Sequence, residues 1–416
     1  MSVIYDKLFC LMESQKVTSK TLMLQANISG NTISRLRRNE YVSLETIENI
    51  CRVFQCRIDD IVEFHFPCTK QNIIGKNFFT PIAEIQNRRY LGNKFKLLDF
   101  ITKVVSENCS DISTVADVFA GTGAVASAFD SKTISTNDLL YSNYLCNIAW
   151  FGNEKIRPYF LERLIIEYNS NTAFEENYMT ENFSGTYFSN VDCSKIGIIR
   201  EDIEQKYLAG TINYRERAIL VTSLIYAMDK IANTCGHYDA WHRGAAFERH
   251  LILPMLNVPL KNKKSNRCFN ENANELVRHI QADLIYLDPP YNSRQYSDTY
   301  HLLENVARWQ KPTVHGVARK MDRQNLKSDY CTTKATTAFE DLITHCHCKY
   351  ILLSYNNMAS KGNARSNARI SDEDILRILE AKGDVKFFAK KYKAFSAGKS
   401  DIRENEERLF LCTVRK

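Results

Sequence analysis

Residues 282–291, Ala-Asp-Leu-Ile-Tyr-Leu-Asp-Pro-Pro-Tyr, constrain this chain more than any other stretch. The first six form an apolar run of strand type, and two consecutive prolines stop it. Proline has no N–H and a fixed φ, so the strand must end in a stiff, tight turn. That turn gathers the Asp288 carboxylate, the Pro289 carbonyl, Pro290 and the Tyr291 ring at one strand end. An exocyclic amine on a planar base needs such partners: two acceptors for its two N–H groups and a ring to stack on.

At 416 residues the chain has room for two or three domains and a large core. Its 44% hydrophobic and 25% charged residues are those of an ordinary globular protein. No apolar run approaches the roughly 20 residues of a membrane span. The start MSVIYDKLFC lacks the form of a signal peptide. A cytoplasmic protein without a membrane partner is therefore expected. Thirteen cysteines without paired spacing fit reduced thiols better than a disulfide framework.

Residues 1–65 have the pattern of a separate helical module. Apolar residues recur at helical spacing through Ile4 to Leu11, Leu22 to Ala26, Ile33 to Leu36 and Leu44 to Phe54. Thr18 or Ser19 suits an N-cap, and Asn27 to Gly30 forms a turn. The pattern, closing on Ile58 to Ile61, resembles the Cro/phage-repressor type of helix-turn-helix. That family commonly has Gly in the turn; Asn27 also tolerates a left-handed conformation. The resemblance implies that Ile33 and Leu36 face a core while Asn31, Thr32, Arg35 and Arg37 face DNA, commonly as a homodimer on operator half-sites. A helical bundle used for docking is the alternative. Residues 66–87, broken by Pro67, Gly75 and Pro81, read as a linker.

Beyond it come dispersed motifs. Tyr90-Leu91-Gly92-Asn93-Lys94 precedes an amphipathic segment. Val115 to Val118 reads as a strand, and Phe119-Ala120-Gly121-Thr122-Gly123 as a turn into a helix, its glycines allowing close approach of a ligand. A second short strand ends at Asp138, about 20 residues on, the spacing at which a carboxylate grips ribose hydroxyls. Ala126 replaces the third glycine of a dinucleotide fingerprint, so an adenosine ligand without a pyrophosphate fits better.

Tyr90 to Lys94, the FAGTG loop, Asp138 and DPPY occur in the order seen in Dam-like adenine-N6 DNA methyltransferases, which residues 88–416 resemble. The resemblance implies an α/β fold: a mostly parallel, seven-stranded Rossmann-like sheet with a helical target-recognition insertion. Residues 88–150 and 281–416 would carry cofactor binding and catalysis, with 151–280 as the insertion. The implied cofactor is S-adenosylmethionine, bound by Tyr90, Lys94, Asp117, Phe119, Ala120, Gly121, Thr122, Gly123, Asp138 and Asp288. Asp288, Pro289, Pro290 and Tyr291 would act on a flipped adenine in double-stranded DNA, with Asp288 a carboxylate of ordinary pKa. A restriction-modification role follows, with a cognate restriction endonuclease encoded nearby and the N-terminal module autoregulating expression from an operator. Methyltransferases acting on an RNA base amine, and a ligand-sensing repressor, are the alternatives. The stretches Ala232 to Asp239 and Tyr291 to Tyr296 look familiar from a restriction-modification subgroup, without an assigned role.

Basic residues cluster near these motifs. Arg308, Lys311, Arg319, Lys320, Arg323, Lys327 and Lys334 follow DPPY, and Arg88, Arg89, Lys94 and Lys96 flank the first motif. Phosphate contacts are expected, foremost at Arg319, Lys320 and Arg323. No metal is expected at His345-Cys346-His347-Cys348, since strand alternation would part its histidines from its cysteines.

Overall fold

The computed structural model describes residues 2–65, 80–244, 246–263, 265–356, 369–391 and 406–415. The chain divides into two compact units, Met1–Phe78 and Phe79–Lys416. The division differs from the expected one: residues 80–87 belong with the second unit, where β3 below begins its fold.

In the first unit, strand β1 (Ser2–Ile4) pairs antiparallel with β2 (Glu63–His65) around four helices, α1 (Asp6–Ser14), α2 (Ser19–Gln25), α3 (Gly30–Arg37) and α4 (Leu44–Phe54). Thr18, Ser29 and Ser43 cap α2, α3 and α4, each accepting a backbone N–H three residues on. Asn27 is left-handed (φ 51°), as the turn requires. Ile33 and Leu36 pack with Leu8, Leu22, Ile47 and Ile50 in one core. The closing segment of the pattern, Ile58 to Ile61, holds a single 3-10 turn, Ile58–Asp60, and the short ribbon has too little sequence to show a period of two.

In the second unit, β3 (Ile82–Ala83) leads to α5 (Leu98–Asn108), β4 (Thr114–Asp117), α6 (Ala124–Ser127), β5 (Thr133–Asn137) and α7 (Tyr141–Phe151). A helical block follows: α8 (Pro158–Ser170), α9 (Tyr178–Phe183), α10 (Asn190–Leu208) and α11 (Tyr214–Ile231). Every residue of α11 from 215 to 229 is buried, so it is the axis of the block. After β6 (Met255–Leu256), which pairs with β3, come β7 (Arg267–Phe269), α12 (Ala273–Leu276), β8 (Ala282–Leu287), α13 (Tyr296–Thr299) and α14 (His301–Arg308). The chain continues through α15 (Ala335–His345), β9 (Cys348–Ser354), α16 (Asp372–Lys382), β10 (Gly383–Lys391) and β11 (Glu406–Val414).

Seven strands form one sheet in the order β10-β11-β9-β8-β4-β5-β7. The last five run parallel, and β11 is antiparallel to both its neighbours. Parallel strands must be covered on both faces. Leu284 and Tyr286 of β8 accordingly pack with Ile101 and Val104, while Ile285 and Leu287 pack with Phe339 and Leu342. Strand β7 corrects the expected partition, because part of the 151–280 insertion belongs to the sheet itself. Its three residues are too few to read as a strand. His345 ends α15 and Cys348 opens β9, so the His-Cys quartet does not alternate along one strand. Among the described residues, no helix is long and apolar enough to cross a membrane.

Strand order reverses at β4, which has β5 and β7 on one side and β8 and β9 on the other. Register brings the strand ends level there: Asp117 lies opposite Thr136 on one neighbour and Tyr286 on the other. In open α/β sheets such a switch point is where ligands bind. The loop leaving β4 crosses it with Gly121 (φ 52°) and Gly123 (φ 81°) both left-handed. A Cβ on Gly123 would lie 2.5 Å from Asn147 Oδ1 and 2.7 Å from Phe151. Gly123→Ala should therefore lower the thermal midpoint more than Gly210→Ala, which has similar φ but open space around it. The left-handed backbone alone costs about 1–3 kcal/mol. Equal shifts for the two variants, read by differential scanning calorimetry, would show that Asn147 and Phe151 give way.

Candidate active site at the switch point

A cavity of about 690 Å³ opens over the ends of β4, β5 and β8. On the β5 side, Asp138 organises the glycine loop. Its Oδ2 accepts the Gly121 N–H (2.9 Å) and its Oδ1 that of Leu140 (2.8 Å). Burial pushes the Asp138 carboxyl up to about 6, against the pull of these N–H groups and of Asn143. Ala120 N donates to Asn137 O at 2.8 Å, fixing the loop from behind. A carboxylate has about four acceptor sites, so the two N–H groups and Asn143 do not exhaust those of Asp138.

The Tyr90 ring lies against the loop: a Cβ on Gly121 would approach its Cε1 to 3.1 Å. Tyr90 stacks on Tyr300 (4.6 Å, 15°) and on Tyr296 (5.4 Å, 25°), and its hydroxyl accepts from Asn143 Nδ2 at 3.0 Å. The backbone of Leu91 is held by the same tyrosines, its N–H donating to Tyr300 Oη (2.7 Å) and its carbonyl accepting from Tyr296 Oη (3.3 Å). The sequence assigns no role to Tyr296, at the end of the Tyr291 to Tyr296 stretch, and leaves Tyr300 as a core residue rather than a stacking group. Their spacing on one helical face was the available signal.

That clamp carries Lys94 to Asp288. Lys94 Nζ lies 3.0 Å from Asp288 Oδ2, with side-chain exposures of 8% and 18%. Burial pushes Asp288 up to about 6 while Lys94 pulls it down. Burial also works against the Lys94 ammonium, yet Asp288 overrides it and leaves the lysine above its ordinary value. The carboxylate is thus not one of ordinary pKa. Asp117, beneath both, is buried with Oδ1 lacking a hydrogen-bond partner among the described residues. Burial and the nearby Asp288 charge hold its carboxyl well above the usual range.

Pro290 lines the cavity and Pro289 is buried behind it. The half-buried Tyr291 ring sits beside the cavity, edge-on to Tyr355 (6.4 Å, 79°), and its carbonyl accepts from Arg369 N at 2.9 Å. Phe119 meets Tyr330 edge-on (5.3 Å), and Tyr330 Oη donates to Asn274 Oδ1 (2.8 Å), closing the far wall. Thr122 lines the cavity too, while Gly123 turns away into the helix. Asn274 and Tyr330 carried no sequence signal, because neither belongs to a contiguous motif.

The basic residues are placed less uniformly. Arg88 is buried beside Asn143 (2.7 Å) and lies over the Tyr90 ring, away from any surface. Lys320 pairs with Asp239 (2.6 Å), Arg323 with Asp298, and Lys311 with Glu201 (2.6 Å). Arg319 is exposed. In the first unit Asn31, Arg35 and Arg37 are exposed, but Arg35 donates to Tyr41 O and Arg37 to Ser19 Oγ, while Thr32 is engaged by the Ser29 cap.

The strand order, a glycine loop with an acid on the next strand, and an Asp-Pro-Pro-Tyr turn at the switch point are the architecture of the methyltransferase fold class. Residues 90–365 match the D12 class N6 adenine-specific DNA methyltransferase family, and the chain belongs to it. Residues 7–67 match the Cro/C1-type helix-turn-helix DNA-binding domain. The chain is 37% identical over 310 residues to modification methylase StsI of Streptococcus sanguinis, covering 70% of this chain and 46% of that protein. It is 31% identical to modification methylase LlaI of Lactococcus lactis subsp. lactis, covering 77% and 53%. Against type II methyltransferase M.NlaIII of Neisseria lactamica it is 29% identical, covering 76% of this chain and 95% of that one. The chain thus spans about half the length of the first two relatives.

Two outcomes test this geometry. Asp138→Ala removes the acceptor of two loop N–H groups and should weaken the binding of an adenosine cofactor, read by calorimetry, by at least tenfold. A change below twofold would remove Asp138 from the ligand contacts. Ionised Asp288 accepts an N–H more strongly than the protonated acid, so activity at saturating cofactor should rise with pH through about 6. Lys94→Met deletes the charge that lowers the Asp288 pKa, so the acid limb should move to higher pH. A limb unmoved in that variant would mean that another group titrates.

Proposed function

We propose that the chain transfers a methyl group from S-adenosylmethionine to the N6 amine of an adenine rotated out of duplex DNA, as the modification enzyme of a restriction-modification system. The observation that carries this reading is the Lys94–Asp288 pair, which holds an acceptor carboxylate in the wall of a cavity large enough for an adenosine cofactor. The residues fit the cofactor: Asp138 retains acceptor capacity for a ribose hydroxyl, and the buried Asp117 Oδ1 has no hydrogen-bond partner among the described residues. Bound there, S-adenosylmethionine supplies an electrophilic sulfonium methyl group.

The chain's own residues do the rest. The lone pair of the adenine amine is delocalised into its ring, which makes it a poor nucleophile. Accepting its two N–H bonds at Asp288 Oδ and Pro289 O draws the nitrogen toward tetrahedral geometry and localises that pair. Tyr291 offers a ring for the unpaired base, and such stacking contributes about 1–3 kcal/mol. Rotation out of the duplex is required because a paired N6 is out of reach. Once the amine carries the new methyl it becomes acidic, and Asp288 takes its proton. The helical block of α8 to α11 serves target recognition. The N-terminal module binds an operator upstream of its own gene, keeping methylase and a cognate endonuclease in proportion, and dimerises there.

Transfer of tritiated methyl to duplex DNA, but not to RNA or protein, is expected. Asp288→Ala should abolish it while cofactor affinity stays within about threefold. Equal loss of both would place Asp288 in cofactor binding alone. Deleting residues 1–65 should leave plasmid methylation near normal and eliminate binding to the promoter region. A folded deletion variant that cannot methylate plasmid DNA would overturn the regulatory role.

A further inference from the structure

A four-residue tip between His315 and Lys320 carries an exposed apolar side chain. His315 and Lys320 pair antiparallel through two 2.9 Å hydrogen bonds. Gly316 (φ 71°) and Arg319 (φ 50°) are both left-handed, and Arg319 N donates to Gly316 O at 3.1 Å, closing the tip. Val317 at its apex is 67% exposed and Arg319 beside it is exposed as well. A lone exposed valine needs no explanation. The support beneath this one does.

The backbone of the tip is gripped from inside the unit. Trp241 Nε1 donates to Val317 O (3.3 Å), and the single O–H of Tyr187 lies within reach of both Ala318 O (2.9 Å) and Tyr238 O (2.7 Å). Lys320 pairs with Asp239 (2.6 Å) and approaches Asp298 (3.9 Å), to which Arg323 is also bound. Asp298 sits on α13 directly after Ser297, which lines the cavity. Two platforms thus meet here: residues 238–241 and the helix that follows the Asp-Pro-Pro-Tyr turn. Aromatic hydrogen bonds and ion pairs that lock a tip while leaving its apolar apex in water suit insertion into something outside the protein.

We propose that Val317 is the wedge that enters the base stack when the target adenine leaves it, with Arg319 anchoring the tip on an adjacent phosphate. This rests on the reading above that a flipped adenine in duplex DNA is the substrate. Extruding a base leaves a hole in the stack and an orphaned partner base. Small apolar side chains fill such gaps in bent or opened DNA, with cations on the flanking phosphates. The Ala232 to Asp239 stretch then has a physical role: its Asp239 carboxylate holds Lys320 at the base of the wedge.

The test compares full-length protein with Val317→Gly, Val317→Leu and Arg319→Ala on duplex oligonucleotides carrying one mapped methylation site. In one duplex the target adenine faces thymine; in the other it faces an abasic site, so opening it breaks no base pair. Val317→Gly is expected to slow single-turnover methylation of the paired duplex at least tenfold and of the abasic duplex less than threefold, with Val317→Leu near wild type on both. Arg319→Ala should weaken binding to both duplexes alike. An equal loss on both duplexes for Val317→Gly, or no loss on either, would overturn the wedge. Failure of the wild-type protein to methylate any duplex would overturn the proposed function itself.

Discussion

The site depends on one ion pair across the switch point. Lys94 comes from the segment before α5, and Asp288 from the end of β8, so neither belongs to the other's element. Each group is costly to bury alone, and removing one partner of a buried pair strands the other. The loop that presents Lys94 has little structure of its own. It is held because Tyr296 and Tyr300, which follow Asp288 in the chain, bond both polar atoms of the Leu91 backbone. The turn that positions the acceptor carboxylate therefore also positions the residue that keeps it charged.

The same downstream helices steady the opposite wall. Glu304 on α14 is buried, and its two oxygens accept the N–H groups of Tyr141 (3.0 Å) and Ser142 (2.8 Å) at the start of α7. A carboxylate there satisfies donors a helix cannot satisfy itself and suits its positive end. Since α7 begins three residues after Asp138, α14 helps fix the distance between Asp138 and Asp288. The helical block completes the support: Arg200 of α10, fully buried, donates to the Val306 and Ala307 carbonyls at the far end of α14. Tertiary contacts of this kind give the glycine loop its precision, since α6 is only a four-residue helix.

What was legible in the sequence was local. Ala282 to Leu287 and Val115 to Val118 are apolar runs ended by turn residues, and both are strands. The Asn27 turn, the Thr18 cap and the inward Ile33 and Leu36 follow from backbone preference and a period of 3.6 residues. Charge without context was misleading. Arg88 reads as a phosphate contact until it is found buried beside Asn143 and Tyr90, and Lys320 and Arg323 until their carboxylate partners far along the chain are known. Tyr300 and Glu304 look like ordinary members of a helix, and only the fold shows what they touch. Strand β7 is three residues long and paired with β5, so its role exists only in the assembled sheet.

In the proposed reaction Lys94 acts on methyl transfer through Asp288. A double-mutant cycle with Lys94→Met and Asp288→Asn, followed by single-turnover methylation of duplex DNA at saturating cofactor, separates this from an independent role. The double variant should be no slower than Asp288→Asn alone, because Lys94 has nothing left to hold once the carboxylate is gone. Losses that multiply, each variant costing the same with or without the other, would show two independent contributions and contradict it.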